Sequence, residues 1–200
     1  MALQRAFKIL LIILSAWFML TLFVQQDGPS ISDQIGPATA PSRILVVYDP
    51  DPFYDLDRQV CEAFARGLAG NGFLIDVATV KALKKTNFDH YQIYVFCANT
   101  YNWAPDWSIS RFIRRNRRIF MDKAAIAITL GSGSTSRSKR MLEDYINGTG
   151  AELIASRTYW LLRPNDESRM DESNVAVACD RVYDFAVQIS ENKIAGNLSQ

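Results

Sequence analysis

Residues 43–57 read RILVVYDPDPFYDLD: a continuous apolar run at 44–48, then aspartates and prolines, then the opening of a helix. A strand that is apolar on both faces belongs inside a parallel sheet covered on both sides. The helix that follows is expected over 56–69, where Val60, Phe64 and Leu68 recur every four residues before Gly70-Asn71-Gly72. Further apolar runs at 73–79, 91–98, 124–130 and 151–162 predict four more strands, the last a single strand or a pair of short ones. Helical patterns at 107–120, 136–147 and 174–190 alternate with them, the last with Val175, Ala178, Val182, Phe185 and Ile189 on one face. Such alternation predicts an α/β three-layer sandwich around a five-stranded parallel sheet. Ligands of such sheets bind at the carboxyl ends of the strands, beside the point where strand order reverses.

The 200 residues are 48% apolar and 22% charged, a composition that folds around a core. The net charge of +1 supplies no global field toward nucleic acid, and none is expected as a partner. Three separated cysteines (Cys61, Cys97, Cys179) and a single histidine, His90, argue against zinc sites, disulfide frameworks and histidine-based triads. Cys61 and Cys97 fall in apolar runs and read as core packing.

Residues 9–24, ILLIILSAWFMLTLFV, carry no charge, and the nineteen residues from Ala6 to Val24 would form a helix of roughly 28 Å, near the ~30 Å hydrocarbon thickness. Such a segment is a membrane span or a signal peptide. The only A-x-A in the first sixty residues, Ala38-Thr39-Ala40, lies far beyond the apolar core and precedes Pro41, which favours a retained anchor. Arg5 and Lys8 precede the span and Asp27 and Asp33 follow it, so the positive-inside bias predicts a single-pass protein with its soluble domain outside the cytoplasm. Residues 26–42, rich in Gly, Pro and Ser, read as a flexible linker.

Three loops fall at the carboxyl edge: YDPDPFYDLD, ANTYNWAPDW and TLGSGSTSRSK. With the order of elements, the aromatic ANTYNWAPDWSISRFI, the DKAAIAITLG run and the later GTGAELI, the chain from 43 to about 165 resembles the flavodoxin-like family. The resemblance implies FMN, with the first loop on its phosphate and the other two flanking the isoalloxazine, and electron transfer or reduction as the function. On this reading Thr100, Tyr101, Asn102 and Trp103 with Gly131, Ser132, Gly133 and Ser134 surround the ring, and no side chain is catalytic. The implied organisation is an anchor over 1–25, a linker over 26–42, the flavodoxin-like domain over 43–192 and a tail over 193–200. The implied partners are the membrane and a redox or acidic protein.

The first loop departs from that pattern. No Ser, Thr or Gly occurs between Tyr48 and Gly67, Pro50 and Pro52 remove two NH donors, and Asp49, Asp51, Asp55 and Asp57 line the turn. A unit charge ~6 Å from a carboxylate meets roughly 0.7 kcal/mol of repulsion in water and about 3 at an effective dielectric of ~20. Asp55 or Asp57 also suits a helix cap. Two alternatives follow. In one, a flavin-free domain uses these loops and the arginine-rich helix (Arg111, Arg114, Arg115, Arg117, Arg118) to bind a partner at the membrane. In the other, Asp49 and Asp51 serve a metal-dependent phosphatase resembling the haloacid dehalogenases, with Thr129 and Lys139. Exposed-loop aromatics that pack over the sheet edge would equally explain Tyr101, Trp103 and Trp107. Asn147-Gly-Thr149 and Asn197-Leu-Ser199 fit glycosylation sequons.

Overall fold

The computed structural model describes residues 2–194, and the sequon at Asn197 and most of the expected tail lie outside them. The chain opens with α1 (Ala2–Val24), β1 (Ser32–Ile35), β2 (Arg43–Tyr48), α2 (Leu56–Ala69) and β3 (Leu74–Thr79). It continues through β4 (Tyr91–Tyr101), β5 (Ala104–Pro105), α3 (Trp107–Arg115), α4 (Arg117–Phe120) and β6 (Ala124–Gly131). It closes with α5 (Ser136–Asn147), β7 (Glu152–Trp160) and α6 (Asn174–Ile189). The sheet runs β1-β3-β2-β4-β6-β7, with β5 attached to β4.

The five expected strands are all present and mutually parallel, with Val46 beside both Val77 and Val95 at the centre. Strand order reverses between β2 and β4. The sheet nevertheless has seven strands rather than five. β1 pairs antiparallel with β3, Ser32 opposite Ala78 and Ile35 opposite Ile75. This strand lies inside the stretch expected to be a flexible linker. Its sequence, SDQI, is too short and too polar to show a strand pattern, and the open edge of β3 supplies the pairing that the residues themselves do not suggest.

One face of the sheet is covered by α2 and α6, whose Val60, Phe64, Val182 and Phe185 meet Ile44, Val46, Val95 and Ile128. Cys61 and Cys97 are buried there as free thiols. The other face receives Ile109 and Ile113 of α3, Phe120 of α4 and Leu142 of α5 over Leu45, Val47 and Phe96. The helix expected over 107–120 breaks at Asn116, whose Nδ2 donates back to the Phe112 carbonyl at 2.9 Å. Between β3 and β4 the chain makes only one 3-10 turn, Ala82–Lys85. α1 is exposed along its length and carries 22 residues, Leu3–Val24, apolar enough to cross a membrane.

Candidate functional site at the carboxyl edge of the sheet

β2, β4 and β6 end on one edge, and their loops meet there. In the first loop the helix start is built from carboxylates. Asp57, in the first turn of α2, is buried; its Oδ2 accepts the Asp51 amide at 2.5 Å and Asn99 Nδ2 at 2.8 Å, and its Oδ1 accepts the Arg58 amide at 2.7 Å. Asp51 Oδ1 accepts the amides of Phe53 and Tyr54 at 2.7 and 3.0 Å. Asp55, at the N-cap position, pairs with Arg58 instead of capping. The expected capping acid was one of this pair, and the structure divides the work: Asp57 goes inward and Asp55 stays at the surface.

Asp49 turns the other way. Its Oδ1 accepts the Gly28 amide at 3.0 Å, so the segment between α1 and β1 passes directly over the first loop. The same segment is held at several more points. Gln25, itself buried, accepts the Trp107 amide through Oε1 at 2.7 Å. Asp27 Oδ1 accepts Ser108 Oγ at 2.6 Å and pairs with Arg111 at 3.1 Å. Thr79 Oγ1 accepts from the Ile31 amide at 3.1 Å and donates to the Pro29 carbonyl at 2.8 Å.

β4 runs three residues further than expected, and Tyr101 pairs with Ala104 in a tight hairpin. Its two turn residues, Asn102 and Trp103, have φ of +50° and +60°. Asp106 then caps α3, accepting the Ile109 amide through Oδ1 at 2.8 Å and the Asn99 amide through Oδ2 at 3.0 Å. Burial raises three of these acids, Asp49 and Asp57 to about 6 and the fully enclosed Asp106 to about 8. Tyr101 donates its hydroxyl to Asp51 Oδ2 at 2.5 Å, and burial together with that bond holds the phenol far above its ordinary value.

The residues expected around a flavin ring separate into two groups. Thr100 and Gly131 are brought together: a Cβ on Gly131 would fall 2.7 Å from Thr135 Cγ2 and 3.1 Å from Thr100 Cβ, so only glycine fits. Ser132, Gly133 and Ser134 follow in the short turn before α5, with open space at Gly133. Tyr101 is drawn to Asp51 in the first loop, while Asn102 turns to the anchor and the Trp103 ring stands exposed. Asn102 Nδ2 donates to Thr21 Oγ1 at 3.0 Å. Asp57, Asn99, Asp106 and the Gln25–Gly28 segment were not singled out as site residues. Signals exist for Asp106, an acid just before a helical run, and for Asp57, in the first turn of one; none exists for Asn99 and the Gln25–Gly28 segment, whose bonds to Asp57, Trp107, Asp49 and Arg111 join residues 21 to 84 positions apart.

The residues present do not fit a flavin phosphate. A phosphate-binding turn needs free amides at a helix start. Here the amides of Asp51, Phe53, Tyr54 and Arg58 are bonded to carboxylates of the same turn, and positions 50 and 52 are prolines. The phosphatase set is not assembled either. Asp49 and Asp51 hold backbone amides, Lys139 pairs with Glu143, and among the described residues no three acidic, His or Cys side chains are grouped to hold a metal ion.

The architecture is that of a flavodoxin-like domain behind an N-terminal apolar helix. Solved structures with this fold include oxidised flavodoxin 1 from Bacillus cereus, 12% identical, TM-score 0.56, covering 76% of this chain and 99% of that one. Two-electron reduced Megasphaera elsdenii flavodoxin is similar at 9% identity and TM-score 0.52, over 70% of this chain and 98% of that one. The flavodiiron protein from Giardia intestinalis matches over 36% of its own length and 77% of this chain, at 14% identity and TM-score 0.54. No protein-family profile matches this sequence, and no curated protein matches it.

Proposed function

We propose that this chain is a single-pass membrane protein whose flavodoxin-like domain stands outside the cytoplasm and works without flavin, as a partner-binding domain. The observation that carries the flavin-free reading is Asp57: its carboxylate takes the donors at the start of α2 that a phosphate would need. The partner surface is the exposed α3–α4 face. Arg111 is engaged by Asp27 and Arg114 lies over the Tyr145 ring, whereas Arg115, Arg117 and Arg118 have no acidic partner among the described residues. Three exposed guanidinium groups so close in the chain suit an acidic protein surface.

The test is an FMN titration of the full chain in detergent, followed by flavin fluorescence and visible absorption. No binding up to about millimolar FMN, where association is worth only ~4 kcal/mol, is the expected result. Stoichiometric binding below that range would establish a second reading, FMN-dependent electron transfer. That reading is favoured by the tight Thr100–Gly131 contact and the exposed Trp103 ring at the same edge. Orientation is read by labelling Ala38→Cys, an exposed site, in intact cells; labelling only after permeabilisation would reverse it.

A further inference from the structure

Outside α1, eight large apolar side chains are exposed among the described residues: Phe53, Tyr54, Trp103, Trp107, Met121, Leu162, Met170 and Tyr183. Five of the eight, at 53, 54, 103, 107 and 162, stand in or just beyond the loops that leave the carboxyl ends of β2, β4 and β7. The exposed apolar surface of the domain is therefore concentrated on one edge.

That edge abuts the anchor. The Phe23 and Phe53 rings lie 5.7 Å apart, and Asn102 reaches Thr21 at 3.0 Å. Thr21 and Phe23 are in the last turn of α1, inside the apolar span that ends at Val24. A span of 22 residues rises about 33 Å, slightly more than a hydrocarbon layer of ~30 Å. Side chains that touch Thr21 and Phe23 from outside α1 therefore lie at the boundary between acyl chains and headgroups. The domain cannot swing away from this position freely, because Gln25, Asp27 and Gly28 are bonded to α3 and to Asp49 immediately after α1 ends.

Trp103 supplies an independent sign. A two-residue hairpin with both residues at positive φ favours Asn-Gly, and here the second place holds a tryptophan at φ +60° that is 55% exposed. The ring is held in a conformation that disfavours it and buries little in return. Its place is explained by something outside the domain.

We infer that the edge on which a flavodoxin-like domain would carry FMN is here a bilayer-facing surface, with Phe53, Tyr54, Trp103 and Trp107 seated in the interfacial layer of the membrane around the emerging end of α1. Aromatic rings are favoured at that depth because they present an apolar body and a polar edge together. Exposed Lys81, Arg137 and Arg163 stand in or beside loops of the same edge, where long cationic side chains reach headgroup phosphates. The inference rests on the anchor reading above and leaves the α3–α4 arginines for the partner.

The experiment uses the full chain in lipid nanodiscs containing lipids brominated near the glycerol end of their acyl chains. The chain has four tryptophans, so two single-tryptophan versions separate the questions. Trp103→Phe, Trp107→Phe and Trp160→Phe together leave Trp17 to report the anchor; Trp17→Phe, Trp107→Phe and Trp160→Phe leave Trp103 to report the edge. Loss of most emission from both, with a blue-shifted Trp103 spectrum, is expected. Quenching of Trp17 with Trp103 unquenched by lipid and open to aqueous iodide overturns the inference and leaves the anchor standing. An unquenched Trp17 overturns both. Should the triple substitutions disturb folding, the emission quenched in the native chain but missing from Trp103→Gly isolates the same residue; no difference between the two also overturns the inference.

Discussion

Asn99 donates its side-chain amide to Asp57 Oδ2 at 2.8 Å, tying the end of β4 to the first turn of α2. This bond, with the Asn99 amide held by Asp106, ties the loop after β2 to the loop after β4 at the edge of the sheet. Removing the carboxylate in Asp57→Ala leaves the Asp51 and Arg58 amides and the Asn99 side chain without their acceptor, and a stability loss of about 1–3 kcal/mol is expected in urea unfolding. Asp57→Asn retains one oxygen acceptor and should lose less. Equal midpoints for both variants and the native chain would show that the turn does not depend on this group.

The pH dependence has a definite sign. Asp49 and Asp57 at about 6 and Asp106 at about 8 bind protons more tightly folded than unfolded. Their contribution is therefore complete below the unfolded carboxylate value and is lost as pH rises through 6 and then 8. Asp166, lowered to about 2 by its bonds to Ser168 and by Arg181, acts in the opposite sense, and its contribution disappears only as pH falls through that value. The melting temperature should fall between about pH 5 and about pH 9, with Asp106→Asn flattening the upper part of the curve. A Tm that rises over that interval would contradict the assigned burial.

Gly67 sits where α2 crosses α6. A Cβ there would lie 2.7 Å from the Tyr183 carbonyl oxygen and 2.8 Å from Ala186 Cβ, and one of these is backbone. Gly67→Ala should destabilise the domain by about 1–3 kcal/mol despite its better helix propensity. Chemical denaturation reads this directly, and a stabilised variant would mean the two helices have room to part.

Trp103→Gly relieves the positive φ in the hairpin, and the domain should gain about 1 kcal/mol. Differential scanning calorimetry in detergent measures it away from any bilayer. A loss instead of a gain would show that the ring packs usefully against the domain.

A chain that starts at Arg43 lacks β1 and the bonds from Gly28 to Asp49, from Ile31 to Thr79 and from Gln34 to Asp76. It should unfold about 3 kcal/mol more easily than one that starts at Asp27, at roughly 1 kcal/mol per bond. Protected Ile31 and Thr79 amides in hydrogen exchange would agree. Fast exchange at both would restore the picture of a loose linker.

The alternation of apolar runs with four-residue periodicity determined the five parallel strands and most of the helices of this protein, because burial on two faces leaves a continuous mark along a strand and a periodic one along a helix. The bounds expected for α2 and α5 coincide with those observed for this reason. The sequence also showed a first turn poor in donors for a phosphate, since Pro50 and Pro52 lack an NH and no Ser, Thr or Gly is present between Tyr48 and Gly67. Only the tertiary structure decided which of Asp55 and Asp57 enters the core, that the Gly- and Pro-rich segment lies over the edge, and that Asn102 reaches the anchor. These outcomes rest on single hydrogen bonds between residues far apart in the chain, Gln25 with Trp107 and Gly28 with Asp49 among them, and such bonds impose no period on the sequence.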